Sequence, residues 1–312
     1  MTDIPGQAQS SADGADTITL QAPRAFDFGV NAAMLASSPK ECMYRTDNGR
    51  LCKAIPIAGG AVVAEIGEDR EGCIGIRFIG GTAPRTASGR AAVAQYVREW
   101  LDLDTDLEPF YGMAEGDRLL REPAKRFYGL RNIGIPDLFE ALSWGIIGQQ
   151  INLAFAYTLK RRLVEQFGSR IDGGGHAYWL FPTPEVIAAL APEDLDELRM
   201  SAKKCEYLIG TARLIAEGKL SRELLEEAGG MKEAERMLTA IRGIGPWTAN
   251  YVLMRCLRMP SAFPVDDVGL HNAIKFATGS ERKPTKAEIA ELSAGWTGWE
   301  SYATIYLWRL LY

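Results

Sequence analysis

Residues 238–272 read LTAIRGIGPWTANYVLMRCLRMPSAFPVDDVGLHN, and this stretch predicts two helices joined by a tight turn. The first predicted helix ends near Ile241, and a Gly-Ile-Gly-Pro sequence begins at Gly243. Two glycines around one apolar residue permit a tight hairpin. Pro246 suits the first turn of a helix, because the N–H that it lacks would have no partner there. The pattern therefore predicts a helical hairpin whose second helix starts at Trp247.

A hairpin of this kind can bind a phosphate group. It directs unpaired backbone N–H groups and a helix N-terminus outward, and neither feature requires net positive charge. The candidate phosphate contacts are the turn glycines and their neighbours: Arg242, Gly243, Gly245 and Thr248. An ordinary turn between two helices could have the same sequence, so the hairpin alone leaves that alternative open.

Two adjacent acids follow the hairpin by about 20 residues. Asp266 and Asp267 belong to the sequence FPVDDVGL (residues 263–270) and stand at the predicted start of a helix. An aspartate at this position commonly caps the helix. A carboxylate can also stabilise the positive charge that develops on a reacting sugar. The residues alone are compatible with both uses.

The hairpin followed by this acid resembles the signature of the helix-hairpin-helix DNA glycosylase superfamily. Within that superfamily the chain is similar to the 3-methyladenine DNA glycosylase II branch, which repairs alkylated DNA. Residues 18–110 fit the family's N-terminal sheet domain in order and length. The segments that resemble family elements are residues 139–152 (FEALSWGIIGQQIN), 181–184 (FPTP), 203–218 and 296–308 (WTGWESYATIYLW).

The resemblance implies which acid is catalytic. In the family a large apolar residue follows the catalytic aspartate by three positions. Asp267 has Leu270 there, whereas Asp266 has Gly269. Catalysis is therefore assigned to Asp267, and Asp266 is given a supporting or capping role. The implied reaction is hydrolysis of the N-glycosidic bond of alkylated purines, such as 3-methyladenine and 7-methylguanine, by base flipping. It leaves an abasic site during base excision repair.

Aromatic side chains form the expected base pocket. Trp247 and Tyr251 are four residues apart on one predicted helix and therefore share a face. The resemblance implies that Tyr251 and Trp308 stack on the flipped base while Trp247 lines the wall. An electron-rich cleft attracts cationic alkylated bases, and no polar group that reads a base edge is recognisable in the sequence. Two alternatives stay open: a glycosylase of the same fold for deaminated or oxidised bases, and a non-catalytic lesion-binding protein.

The residue after the hairpin separates subclasses of the superfamily. Members that also cut the strand carry a lysine there, and its amine attacks the sugar. This chain has Trp247 instead and no lysine in residues 242–256, so no AP lyase activity is expected. No cysteine follows Cys256 and no CxxC pair exists, so neither an iron–sulfur cluster nor zinc is predicted. The resemblance implies no required cofactor, with only a monovalent cation (Na⁺ or K⁺) as a candidate ligand of the hairpin carbonyls.

The residue that would intercalate into DNA has two candidates. The family inserts an apolar side chain directly after a Gly-Gln pair. In this chain Gly148 and Gln149 are followed by Gln150 and then Ile151, which departs from the family pattern. Gln150 is the preferred candidate, because its amide could hydrogen-bond the orphaned partner base. Ile151 is the alternative if the turn is shifted by one residue.

Charge is distributed unevenly along the chain. The 312 residues have a formal net charge of −5, and residues 1–110 carry that whole excess of acid. The remaining body is neutral, so backbone amides are expected to provide much of the phosphate binding. Scattered basic residues are weaker candidates for phosphate contacts: Lys160, Arg161, Arg162, Lys203 and Lys204. The expected partner is double-stranded DNA with damaged bases, bound by a monomer.

The chain predicts an α+β fold with an N-terminal antiparallel sheet module and a two-part helical body. The predicted division is a disordered tail (1–16), a sheet domain (17–111), a helical domain with the hairpin (135–258), and a second helical subdomain (112–134 plus 259–312) that completes the active cleft. No apolar run approaches the ~20 residues of a membrane span. No signal-peptide pattern is present either. A cytoplasmic protein is therefore expected, with no membrane partner.

Overall fold

The computed structural model describes residues 17–38, 40–70 and 72–311. It combines an antiparallel sheet, built mainly by the first third of the chain, with a larger helical body, which confirms the predicted α+β class. The tail predicted to be disordered, residues 1–16, lies outside the described residues. None of the described helices is long and apolar enough to cross a membrane.

The strands of the described residues are β1 Thr17–Gln21, β2 Arg45–Asp47, β3 Arg50–Ile57, β4 Gly60–Arg70, β5 Cys73–Gly81, β6 Ser169–Gly173 and β7 His176–Leu180. They form one antiparallel sheet in the order β2-β3-β4-β5-β6-β7, and β1 pairs with β5. Asn48 and Gly49, both with positive φ, make the two-residue turn between β2 and β3 that their sequence predicts. The period-two pattern places Ile74 and Ile76 in the core beneath the sheet.

The β6–β7 hairpin departs from the predicted domain division. Residues 169–180 were assigned to the helical domain, but they form two strands that join the N-terminal sheet through the pair Gly80–Gly173. The glycines at 174 and 175 have positive φ and form the tight turn of this hairpin. The β6–β7 hairpin, which directly follows α6 in the chain, therefore joins the helical body to the N-terminal sheet.

The helices of the described residues are α1 Phe28–Ala36, α2 Ala87–Leu101, α3 Glu108–Gly116, α4 Arg121–Arg126, α5 Leu138–Gly148, α6 Leu153–Phe167, α7 Pro184–Ala188, α8 Ala202–Ala216, α9 Arg222–Glu226, α10 Met231–Thr239, α11 Pro246–Arg255, α12 Val268–Thr278, α13 Lys286–Leu292 and α14 Glu300–Trp308. Short 3-10 helices span Pro192–Leu198 and Arg309–Leu311. Asp137, Asn152 and Asp267 cap α5, α6 and α12 through side-chain oxygens. These caps fix where the helices that surround the site begin.

The helical body is packed around aromatic side chains near the C-terminus. Phe110 on α3 lies 4.9 Å from Tyr306 on α14 between ring centres, and the Tyr111 and Tyr306 hydroxyls are 2.7 Å apart. The predicted sheet domain ended at residue 111, but α3 begins at Glu108 and packs with the C-terminal helices. The boundary therefore falls before α3.

Asp102, directly after α2, is part of the core. Asp102 is 1% exposed and accepts a 2.5 Å hydrogen bond from the Tyr302 hydroxyl on α14. Thr105 donates a second hydrogen bond to the same carboxylate. A buried carboxylate needs such partners to offset its desolvation, so this residue connects the sheet domain firmly to the C-terminal helices.

Candidate active site

The predicted helical hairpin is present, formed by α10, residues 240–245 and α11. Gly243 has φ of +93°, and a Cβ atom there would overlap the Tyr207 ring, so only glycine fits. Gly245 faces open space, since a Cβ atom added to it would have no neighbour within 4 Å. An approaching phosphate can therefore reach the backbone at Gly245 and the first N–H groups of α11.

The predicted phosphate contacts differ in their surroundings. Arg242 is exposed and forms an ion pair with Glu206 at 3.1 Å. Thr248 is 1% exposed, and its hydroxyl receives a hydrogen bond from the Gln149 amide. The Thr248 side chain therefore faces the interior, so a phosphate contact by this residue would use its backbone N–H in the first turn of α11. The carbonyl of Gly243 also accepts from Gln149, at 2.9 Å.

Asp267 is held in a fixed orientation by three donors. Its Oδ1 accepts hydrogen bonds from the Leu270 backbone N–H at 2.7 Å and from Trp308 Nε1 at 2.9 Å. Its Oδ2 accepts a hydrogen bond from Trp247 Nε1 at 3.0 Å. A Cβ atom on Gly269 would lie 2.8 Å from the carboxylate, so the glycine allows the close approach of Trp308. Asp267 is thus both the helix cap and an oriented carboxylate within the cleft.

Asp266 is placed differently from its neighbour. Its carboxylate lies at the surface, where it forms an ion pair with Lys286 at 2.6 Å. The N-cap of α12 is Asp267, so the capping role considered for Asp266 is wrong. Asp266 borders the same cavity, but the indoles of Trp247 and Trp308 donate to Asp267 and not to Asp266.

Of the three predicted aromatic residues, Trp247 and Trp308 contact the Asp267 carboxylate, and Tyr251 packs next to Trp247. Trp247 and Trp308 donate to its two oxygens, from helices α11 and α14. Tyr251 lies one turn after Trp247, with ring centres 5.7 Å apart and planes inclined by 30°. Burial raises the pKa of Tyr251 to about 12, so its hydroxyl is neutral. The structure brings all three side chains to one cavity, as predicted from the resemblance.

The turn between α5 and α6 contains both candidate intercalating residues. Gln150 is exposed and has φ of +56°, so it stands at the tip of the turn. Ile151 is half-buried and packs against the helical core. The side chain of Gln149 connects this turn to the hairpin through Gly243 and Thr248. The geometry thus favours Gln150 as the residue that projects, and it identifies Gln149 as a connection that the sequence did not reveal.

The cleft is the mouth of a cavity of about 540 Å³ that reaches the sheet domain. Besides Asp267 and the aromatic residues, its lining includes a loop between α1 and β2, here called the pocket loop (residues 37–38 and 40–44). The cleft was predicted to lie between the two helical subdomains, and no polar group that reads a base was recognisable in the sequence. Instead, Ser38 and Glu41 of the sheet domain contribute polar groups to its wall.

Lys160 on α6 is the basic residue that differs most from its prediction. It was a candidate phosphate contact, but it is 3% exposed and forms ion pairs with Glu41 at 3.0 Å and Glu140 at 2.9 Å. Burial lowers its pKa, but the two carboxylates outweigh that effect and hold the pKa well above the usual lysine value. The sequence did contain a signal, because Lys160 lies four residues after Ala156 and three before Leu163 on the apolar face.

The neighbouring basic residues also bind protein groups. Arg161 donates to the Lys40 carbonyl, Arg162 to the Leu198 carbonyl and Lys204 to the Ile147 carbonyl. In the described ranges 17–38, 40–70 and 72–311, no group of three or more His, Cys, Asp and Glu side chains is arranged to hold a metal ion.

The sequence matches known families over both parts of the chain. Residues 144–298 match the HhH-GPD superfamily of base excision DNA repair proteins, and residues 32–142 match the N-terminal domain of 8-oxoguanine DNA glycosylase. The chain is 52% identical to a DNA-3-methyladenine glycosylase of Bacillus subtilis over 297 residues, which cover 95% of this chain and 98% of that protein. It is 34% identical to DNA-3-methyladenine glycosylase 2 of Escherichia coli over 182 residues, 58% of this chain and 60% of that protein.

A solved structure supports the same conclusion for the fold. The 3-methyladenine DNA-glycosylase from Archaeoglobus fulgidus superimposes with a TM-score of 0.79 at 26% sequence identity. The superposition covers 93% of this chain and 97% of that one, and so includes both the sheet and the helical body. The chain belongs to the HhH-GPD superfamily of base excision DNA repair proteins.

Proposed function

We propose that this chain is a monofunctional DNA glycosylase that hydrolyses the N-glycosidic bond of alkylated purines in double-stranded DNA. The observation that carries the proposal is the Asp267 carboxylate, oriented by Trp247 and Trp308 beside a helical hairpin that can hold DNA. The named relatives act on 3-methyladenine, which agrees with this substrate class. The product is an abasic site, and the chain acts as a monomer in base excision repair.

The chemistry follows from the fixed position of the carboxylate. Cleavage of the glycosidic bond develops positive charge on the sugar, and Asp267 is placed to stabilise that charge. Because three donors already orient the carboxylate, little reorganisation is needed when the charge appears. A water molecule on the same face can lose its proton to Asp267 while it attacks the sugar.

The aromatic residues explain the preference for alkylated purines. Methylation at N3 or N7 of a purine leaves a cationic base, which electron-rich rings attract. Trp247, Tyr251 and Trp308 border the cavity into which the flipped base would enter. Because a cationic base is also a better leaving group, these lesions need less catalytic assistance than neutral bases do.

The proposal is tested by incubating the purified chain with a panel of duplexes, each containing one lesion. We expect release of 3-methyladenine and 7-methylguanine. Preferential release of hypoxanthine, uracil or an oxidised base would instead support a glycosylase for deaminated or oxidised bases. Lesion-specific binding without any base release would support a non-catalytic lesion-binding protein.

We predict that the chain has no AP lyase activity. Trp247 occupies the position after the hairpin, and Asp267 receives hydrogen bonds from two indoles rather than lying beside a lysine amine. With no amine there, a Schiff base with the sugar cannot form. Borohydride should therefore trap no covalent complex with lesion DNA, and strands should break only after alkali treatment. A trapped complex would contradict the prediction.

The intercalation turn gives a further prediction. Gln150→Ala should slow excision from duplex DNA about fivefold, the effect of one lost hydrogen bond of about 1 kcal/mol. Gln149→Leu should have a similar effect, because it frees the turn from the hairpin. Neither change should affect excision from single-stranded DNA, where no gap needs filling. If Ile151→Ala is the variant with the duplex-specific defect, Ile151 is the intercalating residue.

A monovalent cation at the hairpin is also part of the proposal. The turn presents backbone carbonyls, which are the oxygen donors that Na⁺ and K⁺ accept, but the Gly243 carbonyl already accepts the Gln149 amide. The ion would supply positive charge between the hairpin and a DNA phosphate. No other cofactor is proposed, neither zinc nor an iron–sulfur cluster.

A further inference from the structure

The base cavity has a polar wall that the catalytic residues do not use. On the side of the pocket loop, Glu41, Glu140 and Lys160 all border the cavity. Tyr157 and Ser38 border it too, joined by a 3.0 Å hydrogen bond. These groups come from the sheet domain and from helices α5 and α6, away from the hairpin. Carboxylates, an ammonium group and hydroxyls can all form hydrogen bonds with polar groups of a ligand.

The pocket loop is attached to one face of α6. Tyr157 donates to Ser38, Lys160 forms the ion pair with Glu41, and Arg161 donates to the Lys40 carbonyl at 3.1 Å. Residues 157, 160 and 161 have the spacing i, i+3 and i+4, which places them on the same side of a helix. Three polar contacts therefore fix the position of the pocket loop relative to α6.

Glu41 is the most constrained residue of this loop. Its Oε1 accepts backbone hydrogen bonds from Cys42 at 2.7 Å and Met43 at 2.9 Å, and its Oε2 accepts from Lys160. Burial raises the pKa of Glu41, but Lys160 and the backbone donors outweigh it and hold the pKa below its usual value. A charged acceptor thus stands at a fixed place in the cavity wall.

This acceptor is near the expected position of the base. Glu41 lines the same cavity as Tyr251, the aromatic platform next to Trp247. In a purine nucleotide the five-membered ring bears the sugar. When the sugar lies at Asp267, the six-membered ring is directed away from it, deeper into the cavity. Flipped bases are commonly read at this edge by hydrogen bonds.

We propose that Glu41 is a specificity-determining residue that accepts a hydrogen bond from the six-membered-ring edge of the flipped purine, and that Lys160 is the positioning residue that holds it there. The inference rests on the proposed glycosylase function. It assigns the sheet domain a part in choosing the lesion, because the pocket loop belongs to that domain. The ligand class is a purine that carries an N–H donor at position 6, as the amino group of adenine does, whereas guanine presents the O6 acceptor there.

The test uses two lesions with the methyl group on the same ring atom. DNA treated with dimethyl sulfate contains 3-methyladenine and 3-methylguanine, which differ in the donors and acceptors of the six-membered ring. The kcat/KM ratio of the two lesions is measured for wild type and for Glu41→Gln. We expect the ratio to change at least about tenfold, as when a hydrogen bond to a charged group is lost. A ratio within twofold of wild type, in whichever direction both rates move, overturns the proposal.

Glu41→Gln is expected to fold, because Lys160 keeps its second carboxylate partner, Glu140. Ser38→Ala is a second variant that removes only the hydroxyl contact with Tyr157, and it should shift the same ratio in the same direction by a smaller factor. Glu165→Gln, on the exposed side of α6, is the matched control and should leave the ratio unchanged. If wild type releases neither base, the glycosylase function itself fails. If wild type releases both and the variants do not alter the ratio, only the role of Glu41 fails.

Discussion

Asp267→Asn is expected to reduce excision of 3-methyladenine by about a hundredfold to a thousandfold, the range found when one preorganised electrostatic group is removed from an active site. The asparagine oxygen can still cap α12 through the Leu270 N–H, because Asn and Asp are comparable caps. The free energy of unfolding should therefore fall by about 1 kcal/mol or less. Single-turnover release of the base, together with a urea titration, measures both quantities.

Asp266→Asn is the matched control for this experiment. It makes the same chemical change one residue earlier, at a carboxylate whose ion pair with Lys286 lies at the surface. Exposed ion pairs contribute about 1 kcal/mol at most, so excision and stability should both stay near wild type. If Asp266→Asn abolished excision and Asp267→Asn did not, the assignment of the catalytic acid would be reversed.

Lys160→Met is expected to lower the free energy of unfolding by about 3–5 kcal/mol, the effect of removing one partner from a buried ion pair. The change leaves Glu41 and Glu140 buried without their shared cation. It also removes the ammonium that lies 5.6 Å from the centre of the Trp144 ring. Urea unfolding followed by tryptophan fluorescence measures the loss.

Two further variants show whether the buried charges cause that loss. Arg161→Met, one residue later on α6, removes an exposed ion pair with Glu165 and an exposed hydrogen bond to the Lys40 carbonyl, and should cost about 1–2 kcal/mol. Adding Glu41→Gln and Glu140→Gln to Lys160→Met removes the uncompensated charges and should restore part of the stability. If Lys160→Met and Arg161→Met lower the free energy of unfolding equally, then Lys160, Glu41 and Glu140 do not behave as a buried charge cluster.

The hairpin could be predicted from a short segment of sequence, and the family resemblance singled out Asp267 as the acid within the cleft. Gly243 and Pro246 specify a turn and a helix start through backbone conformation alone. The spacing of Asp267 and Leu270 distinguished the two acids, and the structure gives the reason in part. Gly269 leaves room for the Trp308 indole to reach the Asp267 carboxylate.

Errors arose where the role of a residue depends on distant partners. Lys160 was interpreted as a surface cation, because Glu41 is 119 residues away in sequence and no local pattern joins the two. The burial of the Thr248 hydroxyl was missed, because its partner Gln149 is 99 residues away. Residues 169–180 were assigned to the helical domain, since a short hairpin gives only a weak local signal and its sheet lies in another part of the chain.

By itself the sequence determined the helical hairpin, the acid that follows it, the shared helix face of Trp247 and Tyr251, and the α+β class. These features depend on backbone preferences and on residues a few positions apart, which a linear pattern records directly. Only the tertiary structure decided that the sheet domain helps to line the base cavity, that Gln149 joins the intercalation turn to the hairpin, and that Lys160 pairs with Glu41. Each of these depends on hydrogen bonds or ion pairs between segments about a hundred residues apart, whose polar groups must find partners once burial removes their water.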